Sequence, residues 1–288
     1  MTEEKDIVKK WFICDKKALI TMTKTTNLVS KAKRLHGLTK TTTDILGRCL
    51  TMSVLMSTKL SHPNSNITSI VSGNGSVGKI ICVAKPNAQV KGYLDNPEVD
   101  LPCDENGKIN IADAVGSEGK LRVLMDLGFG QPYAGEVDLV TGEIVEDYVK
   151  YYYTSLQQPC AIGLGVLMDV ENNVECSAGF LIEVLPDADD KVIANLEKIV
   201  ASIDKFNDTI NQLSIDEFVN KFFEDNERLD YEICPSFQCN CGKERLISIF
   251  KSMDKTEVDS LFDDAGVIES RCDFCNNVIR ITREDLLD

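Results

Sequence analysis

Cys234-Pro235-Ser236-Phe237-Gln238-Cys239-Asn240-Cys241-Gly242 and, beyond the thirty residues from Gly242 to Arg271, Cys272-Asp273-Phe274-Cys275 form the stretch that organises the 288-residue chain. Four of these sulfurs make two close pairs, a Cys-x-Cys and a Cys-x-x-Cys. Soft thiolates presented in two knuckles suit a tetrahedral zinc ion, and four protein sulfurs leave no open position for a substrate. In a chain without secretory signals, paired cysteines bind metal more often than they form structural disulfides. The expectation is a closed site for one zinc ion held by Cys239, Cys241, Cys272 and Cys275. A tail of this size has too little core to fold unaided, so metal binding and folding are expected to be one event.

Composition bounds the rest. A chain of 288 residues with 43% hydrophobic and 27% charged residues is that of an ordinary globular protein, with one large domain and a smaller one. No apolar run approaches the roughly 18 residues needed to span a bilayer. The charged N-terminus lacks an apolar signal core, and the eleven scattered cysteines fit a reducing compartment, so a cytoplasmic location is expected. A net charge of −15 argues against nucleic acid as a partner. The charge is uneven: residues 1–60 hold 12 basic and 5 acidic side chains, residues 231–288 hold 7 and 12. The basic stretch reads as a solvated surface, with docking of acidic partners as the other reading.

Residues 7–30 alternate apolar and polar and predict one or two strands. Ile45, Leu46, Cys49, Leu50, Ser53 and Val54 fall at helical spacing and predict a helix from Thr43 to about Lys59. Gly73-Asn74-Gly75-Ser76-Val77-Gly78 satisfies a dinucleotide fingerprint, with Asp95 downstream. The next residues, Lys79-Ile80-Ile81-Cys82-Val83-Ala84 and then Pro86, are strand chemistry where a phosphate site needs a helix, so a glycine-rich hairpin is expected. Short strands continue from 90 to 145 between turn signals such as Asn96-Pro97 and Glu105-Asn106-Gly107. A helix over 147–157 carries Tyr151, Tyr152 and Tyr153 as packing residues, and two buried strands come after it at 161–168 and 174–183. After Pro186 the texture turns helical and polar, with Ser214-Ile215-Asp216-Glu217 as a capping box. The segment 187–230 reads as an amphipathic connector whose stability comes from docking rather than propensity. In the tail, two short helices at 244–250 and 256–264, with Gly266 as a C-cap, precede a strand at 278–282. The fold class is thus α+β, divided into a core at 1–186, a helical linker at 187–230 and a zinc domain at 231–288.

Only His36 and His62 are present, and neither sits in a catalytic neighbourhood, so no enzyme is expected. The tail thiolates offer different chemistry. An oxidant can carry them through sulfenic acid to disulfides, and either bridge removes two ligands. Metal loss would forfeit on the order of 10 kcal/mol of folding free energy. Two readings stand side by side: a switch worked by oxidation, and a permanent structural zinc in a constitutive binding module for nucleic acid or a regulatory protein. Cys234 is a fifth thiol nearby, while Cys14, Cys49, Cys82, Cys103, Cys160 and Cys176 read as buried small apolar residues.

Nearly end to end, the chain resembles the heat-shock protein 33 family of redox-regulated chaperones. The resemblance is carried by Cys239-Asn240-Cys241 with Cys272-Asp273-Phe274-Cys275, by the run from Ser72 to Gly78, by Val90-Lys91-Gly92-Tyr93 and by the run from Ser177 to Pro186. It implies an antiparallel α+β core, a metastable helical linker and a C-terminal zinc domain. The reduced, zinc-loaded protein would be an inactive monomer. Oxidation would pair Cys239 with Cys241 and Cys272 with Cys275, release zinc and unfold the linker. The product would be an ATP-independent holdase, characteristically a dimer, that binds unfolding client proteins. Two departures stand out: Ser155-Leu156-Gln157-Gln158 where the family more often has Ser-Glu-Gln, and the extra Cys234.

Overall fold

The computed structural model describes residues 5–103, 109–203 and 206–286. In chain order it contains β1 (Ile7–Ile13), β2 (Ala18–Lys24), α1 (Thr26–His36), α2 (Lys40–Ser57), β3 (Asn66–Ser72), β4 (Lys79–Lys85), β5 (Gln89–Leu94), α3 (Ile111–Val115), β6 (Lys120–Asp126), β7 (Tyr133–Asp138), α4 (Val145–Thr154), β8 (Cys160–Met168) and β9 (Val174–Val184). Helices α5 (Asp190–Ala201), α6 (Phe206–Gln212) and α7 (Ile215–Phe222) come next. The chain ends with β10 (Asn226–Ile233), β11 (Ser236–Phe237), α8 (Lys243–Lys251), α9 (Lys255–Ser260), β12 (Val267–Arg271) and β13 (Val278–Thr282). Two compact units result, residues 1–237 and 238–288. The turn expected at Glu105-Asn106-Gly107 lies outside the described residues.

The first unit is α+β. One antiparallel sheet runs β10-β1-β2-β9-β8, and a second runs β11-β5-β4-β3-β6-β7 with β11 and β5 its parallel pair. Helix α2 packs against both sheets. Its residues Thr41 to Ser57 are buried apart from Arg48, as a helix enclosed on all sides requires. Its polar atoms are satisfied locally: Ser53 donates to the Cys49 carbonyl at 2.8 Å, and Arg48 Nε donates to Asp44 at 2.7 Å. Thr51 meets Thr25 and Ser177 in a buried hydroxyl cluster, with oxygens 2.7 and 3.3 Å from its own.

Strand β9 is buried almost throughout, because both faces of its sheet are covered. Ser177 and Gly179 face α2, and a side chain at 179 would meet the Thr51 methyl at 2.8 Å. On the opposite face Trp11, Ile13, Ala18, Ile20, Met22, Ala178, Phe180 and Ile182 form one core with Leu196, Ile210, Ile215, Phe218, Val219 and Phe223. The second group comes from α5, α6, α7 and the residue after them. Phe206 and Phe218 stack edge-on at 5.7 Å, Phe206 lies 5.2 Å from Phe180, and Phe222 lies 4.8 Å from Phe218. The amphipathic connector therefore has its covering partner: the sheet face itself.

Several expectations need correction. Residues 26–36 are helix, not strand. Their cap is remote, since the Asp6 carboxylate accepts from the amides of Asn27 at 2.9 Å and Leu28 at 2.7 Å, while Thr25 makes no side-chain cap. Gly37, at φ 63°, closes the other end in the left-handed region. Helix α2 begins at Lys40, earlier than Thr43, because Thr39 and Thr42 build a capping box without an acidic residue. Helix α3 was not anticipated; Asn110 caps it by accepting from the Asp113 amide. Within 187–230 the helices end at Phe222, and Asn226–Ile233 becomes a strand because it pairs with β1. Tyr151 and Tyr152 are packed as expected, but Tyr153 is 71% exposed. Cys49, Cys82 and Cys176 are buried, Cys14 and Cys160 are half-buried, and Cys103 is exposed.

The glycine run is the expected hairpin turn between β3 and β4. Its amides are spent on protein: Gly75 N–H donates to the Val115 carbonyl at 2.9 Å and Val77 N–H to the Ala114 carbonyl at 3.1 Å. Asp95 accepts from the Lys79 amide at 2.9 Å. A Cβ at Gly75 would fall 2.2 Å from the Ala114 carbonyl oxygen, a backbone atom that cannot swing away. Replacing Gly75 by Ala should therefore cost about 1–3 kcal/mol of stability, read as a lower Tm; an unchanged Tm would show that the turn and α3 are not tightly packed. Phe218→Ala should cost about 3–5 kcal/mol at its site and raise amide exchange across α5–α7 well before it does so in β3–β6. Uniform acceleration across the unit would mean that the helices and the sheet open together.

Candidate metal centre

Residues 238–288 fold around very little apolar material. Val258, Ile268, Ile279 and Ile281 are buried, with Leu246, Ile247, Phe250, Phe262, Leu286 and Cys241 packed partly against them. Strands β12 and β13 pair antiparallel from Val267↔Thr282 to Arg271↔Val278. The alternation Ile279–Ile281 on β13 puts both isoleucines on the core side. Helix α8 packs against β13, and Lys243 at its start pairs with Asp285 at 2.7 Å. Gly266 does not cap α9, which ends at Ser260 with Leu261 as its C-cap; the Gly266 φ of 74° instead serves the turn into β12.

The second knuckle is the tip of the β12–β13 hairpin. Cys272 N–H donates to the Asn277 carbonyl at 3.0 Å, and the Cys272 carbonyl accepts from Asn276 N–H at 2.7 Å and Cys275 N–H at 3.3 Å. Asn276 adopts φ 56°, which its short polar side chain tolerates. This folding back brings Cys272 and Cys275 to one side. The first knuckle, Cys239-Asn240-Cys241, runs directly into Gly242 and the amino end of α8. Both knuckles are set by their local chain paths.

All four sulfurs lie within 4.8 Å of one another. Cys239 Sγ is 3.6 Å from Cys272 Sγ, and Cys241 Sγ is 3.2 Å from Cys275 Sγ. A tetrahedron with metal–sulfur bonds of about 2.3 Å has edges of roughly 3.8 Å, so a small expansion admits a metal ion. The donor set is four soft sulfurs, each half-buried, with no carboxylate or imidazole among them. That set matches the softness and closed geometry of a structural zinc or similar ion. Burial, with hydrogen bonds from the Cys275 thiol to Cys241, Cys239 and Cys272, pushes that thiol above its ordinary pKa. A cation at the centre reverses that direction, because a coordinating thiol is deprotonated outright.

Every residue proposed as a ligand on spacing alone is thus brought into one cluster. Cys234 belongs to the first unit, where it is exposed and lines a surface depression with Lys31, Pro235 and Phe237. Of the two histidines, His62 Nδ1 accepts from the Asn64 amide at 3.2 Å, and the His36 ring lies edge-on to Phe237 at 6.3 Å. Among the described residues no helix is long and apolar enough to cross a membrane.

The basic N-terminal stretch, read in sequence as solvated surface with docking of acidic partners as the other reading, pairs in part with acids of the same chain. Lys9 and Lys24 are not solvated surface. Lys9 Nζ, with its side chain 12% exposed, lies 2.5 Å from Asp216 on α7. Lys24 is buried and acts on Glu217, whose carboxyl is held low first by hydrogen bonds from Ser214 and further by the Lys24 charge. Lys17 pairs with Asp189, the N-cap of α5, at 3.8 Å. The signal available in sequence was the opposite charge of the two segments.

Comparison with known proteins agrees with this architecture. The family model described as Hsp33 protein matches residues 6–282. The protein called 33 kDa chaperonin in Caldanaerobacter subterraneus subsp. tengcongensis is 38% identical over 260 residues, covering 90% of this chain and 88% of its own. Its namesake in Clostridioides difficile is 36% identical over 266 residues, covering 92% and 91%. The crystal structure of the 33 kDa chaperonin (heat shock protein 33 homolog) from Thermotoga maritima superposes with a TM-score of 0.88 at 27% identity, covering 98% of this chain and 96% of that one. With its sheets, its cysteine cluster and nearly its whole length accounted for, the chain belongs to the Hsp33 family, a family of molecular chaperones and not of enzymes.

Proposed function

We propose that this protein is an ATP-independent holdase chaperone, switched on when Cys239, Cys241, Cys272 and Cys275 are oxidised. The observation that carries the reading is the convergence of these four sulfurs within 4.8 Å in a unit whose buried core is only a few side chains. In the reduced state the four thiolates hold one zinc ion, which supplies the folding free energy that so small a core lacks. A peroxide oxygen accepts two electrons from one thiolate, giving a sulfenic acid and hydroxide. The neighbouring thiol then displaces that hydroxyl as water and closes a disulfide. The resemblance to the family implies that the bonds close within each knuckle, Cys239 with Cys241 and Cys272 with Cys275, although the shortest sulfur–sulfur approaches, 3.6 and 3.2 Å, run between the knuckles. Each bond so formed takes two donors out of the ligand set.

The output is an apolar surface. Helices α5, α6 and α7 have 12, 7 and 8 residues, lengths at which isolated helices are marginal. They are helical because they are docked on the face of the β1-β2-β9 strands that carries Trp11, Ile20, Met22 and Phe180. Unfolding of the connector at 187–230 uncovers that face for unfolding client proteins. The active form is a dimer, and the protein works in the cytoplasm.

Two measurements test the proposal. Replacing Cys239 or Cys272 by Ser should abolish stoichiometric zinc binding while Cys234→Ser leaves it intact; unchanged zinc content in the first two would refute the ligand set. Light scattering of a thermally unfolding client should be suppressed by peroxide-treated protein and not by the reduced, zinc-loaded form. Equal suppression by both would leave a constitutive binder with a purely structural metal. Failure of both forms, under conditions that release the metal, would end the chaperone reading.

A further inference from the structure

The face beneath the connector is not only apolar. On β1, Lys9 lies on the same side as Trp11 and Ile13, and on β2, Lys24 lies on the same side as Ile20 and Met22. The two lysines stand at one end of the apolar floor, and Lys17, just before β2, stands at the other. Two of them pair with acids of the connector, Lys9 with Asp216 and Lys17 with Asp189, and the charge of the buried Lys24 acts on Glu217. The connector as a whole, residues 187–230, carries 12 acidic and 5 basic side chains. Its occupancy of the face is therefore matched in charge as well as in apolar shape.

We propose that the uncovered face selects clients chemically like the segment it releases: apolar, aromatic-rich stretches flanked by Asp or Glu, with Lys9, Lys17 and Lys24 as the specificity-determining residues. This rests on the undocking of the connector upon oxidation. When α5–α7 leave, Lys9 and Lys17 lose these carboxylates at the edges of an exposed apolar surface, and the Lys24 charge loses the Glu217 carboxylate it acts on. A client segment with acidic flanks satisfies them, whereas one with basic flanks places like charge against like at a site that is partly desolvated. The docked connector then acts as a built-in competitor for the client site.

The test uses peroxide-oxidised full-length protein and three synthetic peptides sharing one Phe/Ile/Val core, flanked by Glu, by uncharged residues or by Lys. Binding is followed by fluorescence anisotropy. Three lysine charges facing three flanking carboxylates predict roughly tenfold tighter binding of the Glu-flanked peptide than of the Lys-flanked one at low salt. The preference should shrink toward unity at about 0.5 M salt, where the screening length falls to a few ångströms. The triple variant K9Q/K17Q/K24Q should lose the preference while still holding the uncharged peptide. Equal affinities in the unmodified protein, or a preference that survives both salt and the triple variant, would overturn the inference and leave the chaperone reading standing. Capture of none of the three peptides would overturn both.

Discussion

The docking of three short helices onto one sheet face is the interaction on which the architecture of the first unit depends. Strands β2 and β9 carry apolar side chains on both faces, so the sheet cannot stand with only α2 against it. The second cover must come from elsewhere in the chain, and it comes from α5–α7 through Leu196, Ile210, Phe218 and Val219. Neither partner is stable alone: the helices are too short to persist in water, and the sheet face is too apolar to stay exposed. Helix formation and docking are thus a single equilibrium. What shifts it changes both the secondary structure of the connector and the amount of apolar surface the protein shows.

The C-terminal unit repeats this logic with a metal site in place of a sheet. Its buried core consists of Val258, Ile268, Ile279 and Ile281, and surface ion pairs such as Arg280–Glu269 add little. The four sulfurs are then the largest interaction available to it. A unit held by one site can be undone by chemistry at that site, whereas a unit held by a broad core cannot. Under the proposed function, the property that would make this unit depend on a cation would also make it sensitive to an oxidant.

The parts legible in the sequence are those fixed by local spacing. Cys239 with Cys241 and Cys272 with Cys275 announce their knuckles because each pair is set by a few residues of chain. The hairpin at Gly73–Gly78 was readable because the residues after it favour a strand over a helix. Features fixed at long range were hidden. Helix α1 is capped by Asp6, 22 residues before Leu28, and β10 is a strand only because β1 offers it an edge. The threonine-rich start of α2 conceals a capping box made of two hydroxyls. Lys9 and Lys24 looked like solvated charges because nothing near them in sequence names their partners on α7.

Those ion pairs also bear on how specific the docked state is. Burying Phe218 and its neighbours supplies most of the docking free energy, but apolar contact alone tolerates sliding and rotation of α7 on the sheet. The Lys9–Asp216 and Lys17–Asp189 pairs fix position at two separated points. Asp216 and Asp189 remain substantially exposed, 38% and 58% by side chain, so each pair is screened and adds on the order of a few tenths of a kcal/mol to 1 kcal/mol. Replacing the pairs with further apolar contacts would hold the helices more tightly and remove the register they provide. Weak, well-placed charges on a strong apolar floor select one docked arrangement without locking it, which is what the proposed release requires.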